Sequence, residues 1–212
     1  MSDVAGAGLG SGMAFWLRWV AATAIGLVVS FAMFVAIFSV IGEPGDLLFP
    51  VLMAGVGLVV GAFQQRLLRR VLGEAKRWAV ATGVGLGVGI ALALAMGEGT
   101  GLGGKVLEGT AHGSAIGAVL GTLQWLVLRA RVPRARWWVP ASIAGWATGA
   151  AAGDAVGYFV EGLDIVAGPV VAAAVTGIAL VELLQPGPRD GLETRTLPLK
   201  EQSTSANASG LN

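Results

Sequence analysis

Few residues inside the long apolar stretches of this 212-residue chain have chemistry to offer: Asp154, His112 and Glu182 are ionisable, and Gln64 and Gln124 carry amides. Asp154 lies 16 residues after Trp138, about 24 Å along a helix rising about 1.5 Å per residue. His112 lies 16 residues before Leu128, so the two share one depth. A carboxyl and an imidazole placed together inside a membrane can relay a proton or hold a cation. They can equally form a static polar pair that offsets the cost of a buried aspartate, about 2.5–3.5 kcal/mol at mid-bilayer. Each is one residue from a glycine, Gly113 or Gly153, so close packing of their two helices would bring them together. Glu182 stands near the end of its apolar stretch, where its side chain can reach water.

Other chemistries are excluded by what is missing. Without cysteine there is no thiol nucleophile, disulfide or thiolate metal ligand, and one histidine beside scattered carboxylates makes no recognisable zinc or di-metal set. The run 99–105 imitates the start of a phosphate-binding loop, but Val106 stands where Ser or Thr must reach Mg²⁺, and a flexible outer loop is expected there. No Ser-His-Asp arrangement has local support. The expectation is a protein with no catalytic residues, no cofactor and no bound metal.

The elements that must position these residues are membrane helices. The chain is 55% hydrophobic and 13% charged, against about one-quarter charged in soluble domains. Stretches of about 20 apolar residues predict spans near 19–41, 47–67, 78–96, 107–128, 138–159 and 163–184. An all-α six-helix transmembrane bundle over 16–185 follows, with a short N-terminus (1–15) before it and a polar, disordered tail (186–212) after it.

Arg66, Arg69, Arg70, Lys76 and Arg77 fall between spans two and three, and Arg129, Arg131, Arg134 and Arg136 between spans four and five. The positive-inside rule makes those loops and both termini cytoplasmic. Six tryptophans (Trp16, Trp19, Trp78, Trp125, Trp137, Trp138) cluster near that boundary and are expected as interfacial anchors. The outer connections carry Glu43, Asp46, Glu98, Glu108, Glu161 and Asp164, a weakly acidic rim. A net charge of +1 gives no pull toward nucleic acid.

The pattern Trp-x-x-Ala-Thr/Ser-x-x-Gly recurs at Trp19, Trp78 and Trp138, about 60 residues apart, and residues 57–89 match 117–149 without gaps at eleven positions. Three parallel two-helix hairpins around a pseudo-threefold axis are expected. The third copy has diverged: Gly177 persists, but Val181 replaces its second glycine and Leu184 its glutamine.

Glycines recur every fourth residue at Gly109, Gly113, Gly117 and Gly121 and at Gly145, Gly149, Gly153 and Gly157, with shorter sets at Gly57/Gly61 and Gly85/Gly89. Each set lines one helix face and allows close helix approach, within the chain or in a homo-oligomer. Gln64 and Gln124 continue these stripes toward the cytoplasmic end. Paired with each other or with Arg69 and Arg129 they would latch neighbouring repeats; converging on the axis they would form an inner gate.

The segment Gly117-x-x-x-Gly121-x-x-Gln124-Trp125-x-x-Leu128-Arg129, followed by Trp138, resembles uncharacterised bacterial multi-spanning membrane proteins with repeated GxxxGxxQWxxLR segments. Gln65 stands where the earlier copy would carry the second tryptophan. The resemblance implies a bacterial inner-membrane location and assigns no activity. Two functions then compete: an accessory or scaffold subunit bound to the bilayer and to another membrane protein, or a small-solute or cation/proton-linked transporter using Asp154 and His112.

Overall fold

A computed structural model describes residues 2–42, 45, 48–73, 75–97 and 100–185, with side chains from residue 12 onward except at 41. The expected tail at 186–212 and three acids of the expected outer rim, Glu43, Asp46 and Glu98, lie outside the described residues. The described chain is helical: α1 (Ser2–Ile41), α2 (Phe49–Leu72), α3 (Trp78–Leu94), α4 (Gly101–Leu128), a 3-10 turn (Ala135–Trp137), α5 (Trp138–Phe159) and α6 (Asp164–Leu184).

Local sequence accounts for the helix limits. Pro50 opens α2, where its missing N–H has no helical acceptor to lose. Gly73, at φ +75°, closes α2 by donating its N–H to the Arg69 carbonyl, a conformation that side chains resist. Residues 101–106 are the first turns of α4, not the outer loop expected for them, and an i,i+3 Lys105–Glu108 pair at 3.0 Å supports that start. Helix α1 likewise begins at Ser2, within the segment read as a short N-terminal extension.

Among the described residues, four helices are long and apolar enough to cross a membrane: Gly12–Val40 within α1, α2, α4 and α6. The 17 residues of α3 span about 25 Å, somewhat less than the roughly 30 Å hydrocarbon layer. The 22 residues of α5 are long enough, but four glycines, Pro140, Asp154 and two tryptophans make it less apolar. Large side chains face outward, as on α3, where Val80, Val84, Val88 and Leu92 are about half exposed while Trp78, Thr82, Gly85 and Gly89 point inward. Apolar outside and small or polar inside is the distribution of a membrane protein.

Each helix packs on its neighbours in sequence, and α6 returns to α1, closing a ring. The glycines set the spacing. A Cβ on Gly57 would lie 2.7 Å from the Thr82 carbonyl oxygen, on Gly61 2.8 Å from the Ala79 Cα, and on Gly117 2.6 Å from the Ser142 carbonyl oxygen. Gly121 meets Ser142, and Gly177 the edge of Trp19, so α2 abuts α3, α4 abuts α5 and α6 abuts α1 through glycine. Gly85 and Gly89 similarly take Leu120 and Ile116 of α4, while Gly145 and Gly149 take Thr176 and Ala172 of α6. Gly109 and Gly113 face Ala150 and Trp146 of α5, and Gly153 and Gly157 face the first turn of α6.

Gly117→Ala is expected to force α4 from α5 and lower stability by about 1–3 kcal/mol. Gly103→Ala, where a Cβ meets nothing, is expected to be neutral or stabilising by up to about 1 kcal/mol. Thermal unfolding in detergent reads both, and equal effects would refute the packing argument.

Candidate functional site

The centre of the ring at one end is filled by three indoles. Trp19, Trp78 and Trp138 are at most 1% exposed, and their rings meet pairwise at centroid distances of 5.9, 6.4 and 5.8 Å. The Trp19 ring is edge-on to both others, and the Trp78–Trp138 pair is tilted at 58°, geometries that bring positive ring edges to negative faces. Leu68, Leu128 and Leu180 pack around them with almost no exposure.

This corrects the expectation that all six boundary tryptophans are interfacial anchors. Three of them are core, and Trp137 is 58% exposed. Proximity to a boundary places a tryptophan along the membrane normal; it does not say which side of the helix faces in.

Hydrogen bonds link one indole to the next. Trp78 Nε1–H donates to Gln64 Oε1 at 3.0 Å, Gln64 Nε2–H to Thr23 Oγ1 at 3.0 Å, and Thr23 Oγ1–H to the Trp19 carbonyl at 3.1 Å. The same path recurs from Trp138 through Gln124 and Thr82 to the Trp78 carbonyl, at 3.0, 3.0 and 2.9 Å. Both glutamines are buried and join successive hairpins through Trp and Thr, not through each other or through arginine. Arg69 and Arg129 are exposed, and Arg129 lies over the Trp125 ring at 5.3 Å.

A third path would run from Trp19 through residue 184 and Ser142 to the Trp138 carbonyl. Residue 184 is leucine, packed against the tryptophan cluster. Among the described residues, the buried side-chain atoms without a hydrogen-bond partner are Trp19 Nε1 and Ser142 Oγ, the two that a glutamine at 184 would join. Thr23 and Thr82 were not singled out from sequence as site residues. The signal was present: each lies four residues after its tryptophan, and each glutamine lies 14 before the tryptophan it holds.

His112 and Asp154 line one cavity of about 290 Å³ at the opposite end, with Glu108 and the apolar Phe49, Ile90, Leu94 and Ile116. They do not bond to each other. The His112 ring lies 3.7 Å from Glu108 through Nδ1 and 3.2 Å from the Gly97 carbonyl through Nε2. The Asp154 carboxylate packs against Gly109, without an ion pair or hydrogen bond among the described residues. No group of three or more potential metal-ligating side chains occurs among the described residues. No family model, curated protein or solved structure matches the chain.

Leu184→Gln is expected to supply the third bridge and raise stability by about 1–2 kcal/mol. Gln124→Leu, which strands Trp138 Nε1, is expected to lower it by about 1–3 kcal/mol. Both are read by thermal unfolding in detergent. A loss of stability in Leu184→Gln would show that the third corner has no room for the amide.

Proposed function

We propose that the chain is a bacterial inner-membrane protein of three parallel two-helix hairpins about a pseudo-threefold axis, acting as a non-transporting accessory or scaffold subunit of a membrane assembly. The basic loops beside the tryptophan end put that end and both termini in the cytoplasm. The short α3 and the less apolar α5 complete the six spans, shielded by the neighbours on each side.

The closed indole triangle carries this reading. A solute or ion path along the ring axis would meet three fully buried rings, two of them held by buried amides, among glycine-spaced helices. The glutamines contribute to that plug instead of lining a gate, since their polar atoms are bonded sideways to Trp and Thr. A protein that spends its central polar groups on rigidity suits a partner that needs a fixed membrane surface.

The second reading, proton- or cation-linked transport, draws on the cavity holding His112, Glu108 and Asp154. It requires the indoles to part during each cycle. Proteoliposomes containing the chain are expected to show no proton or monovalent-cation flux above empty vesicles, and mild-detergent extraction from native membranes is expected to recover a second membrane protein in stoichiometric amount. Flux abolished by Asp154→Asn, or a chain recovered without a companion, would overturn the accessory role.

A further inference from the structure

We propose that the groove between the start of α5 and the end of α6 binds the headgroup of an aminophospholipid, a phosphoethanolamine lipid of the cytoplasmic leaflet. The groove has a volume of about 360 Å³ and is lined by Arg134, Trp137, Pro140, Ala141, Ala179, Glu182 and Leu183. The inference rests on the reading above that the tryptophan end lies at the headgroup layer.

The groove offers both signs of charge, uncancelled. Arg134 Nη2 donates to the Glu182 carbonyl in the last turn of α6 at 2.7 Å and to the carbonyl of the capping Gln185 at 3.3 Å, which anchors the guanidinium at the groove. Its other N–H groups have no protein acceptor among the described residues, and a guanidinium fork matches phosphate oxygens. The Glu182 carboxylate lines the same groove and forms no ion pair with Arg134 or with any other described residue, although their side chains share one wall. An exposed cation and anion that border one groove without pairing suit a ligand carrying the opposite pair: phosphate toward Arg134, ammonium toward Glu182.

The rest of the lining fits the remainder of such a lipid. Pro140, Ala141, Ala179 and Leu183 give an apolar floor for the glycerol and the first acyl carbons, and the 58%-exposed Trp137 stands beside it, where indoles favour the interface. A phosphatidylglycerol headgroup would supply the phosphate but leave Glu182 facing an anion. A choline headgroup has a cation but no N–H to donate to the carboxylate. The complementarity therefore selects a primary ammonium.

Native mass spectrometry of the full chain, offered phosphatidylethanolamine, phosphatidylglycerol or phosphatidylcholine of matched acyl chains, tests the site. One retained phosphatidylethanolamine is expected, favoured over phosphatidylglycerol by about tenfold. Glu182→Gln should erase that preference while leaving thermal stability unchanged, since Glu182 is exposed and accepts from Arg134 through its backbone alone. Arg134→Gln should weaken retention of every lipid. Equal retention of the three lipids by the native chain, or an unchanged preference in Glu182→Gln, would overturn the proposal. Carbonate extraction of native membranes separates this failure from that of the underlying reading: an integral chain without lipid preference refutes only the groove, whereas a chain released by carbonate refutes its membrane placement.

Discussion

Three indole rings in mutual contact set the scale of the fold. For Trp19, Trp78 and Trp138 to meet at about 6 Å, the three helices bearing them must converge at one end of the ring, and the helices between them must not hold them apart. Glycine makes that possible. Gly57, Gly61, Gly117, Gly121 and Gly177 remove side-chain volume at the contacts between helices, and any Cβ there would meet backbone, the Ser142 side chain or an aromatic ring at under 3 Å. Where surrounding lipid gives no hydrophobic drive between helices, this closeness supplies the dispersion contacts that hold them.

Closeness alone would leave helices free to slide, and the amides remove that freedom. Each of Gln64 and Gln124 accepts from the indole of the following hairpin and donates to a threonine of its own, whose hydroxyl donates back into the preceding turn. Such a network is strong only when all its members are satisfied. The corner at Leu184 is therefore distinct: it has the indole and the serine hydroxyl but a leucine in place of a group that could join them. The α6–α1 seam is held in other ways, by Trp16 Nε1–H donating to the Ala174 carbonyl at 2.9 Å and by Gly177 against the Trp19 edge.

The polarity of the two ends differs in consequence. At the tryptophan end, buried polar groups other than Trp19 Nε1 and Ser142 Oγ are absorbed into structure, and Arg69, Arg129 and Arg134 lie exposed on the rim. At the other end, His112, Glu108 and Asp154 face a cavity with apolar walls, where His112 lies 3.7 Å from Glu108 and Asp154 bonds to neither. Any path along the axis from that recess must first separate three packed rings, which is the feature the proposed accessory role rests on.

Composition and periodicity by themselves determined the helical class, the approximate helix limits other than the starts of α1 and α4, and the glycine faces, because hydropathy and a four-residue spacing act locally along the chain. The glutamine stripe also told that Gln64 and Gln124 face protein. Tertiary structure decided what those faces meet. Whether Trp19, Trp78 and Trp138 anchor in lipid or fill a core depends on helix rotation, which one-dimensional distance to a boundary does not contain. The partners of the glutamines lie 14 and 41 or 42 residues away, on other helices, and the separation of His112 from Asp154 depends on how α4 and α5 turn toward each other. Equal depth along two helices was readable in the sequence; contact between them requires a rotation that only packing sets.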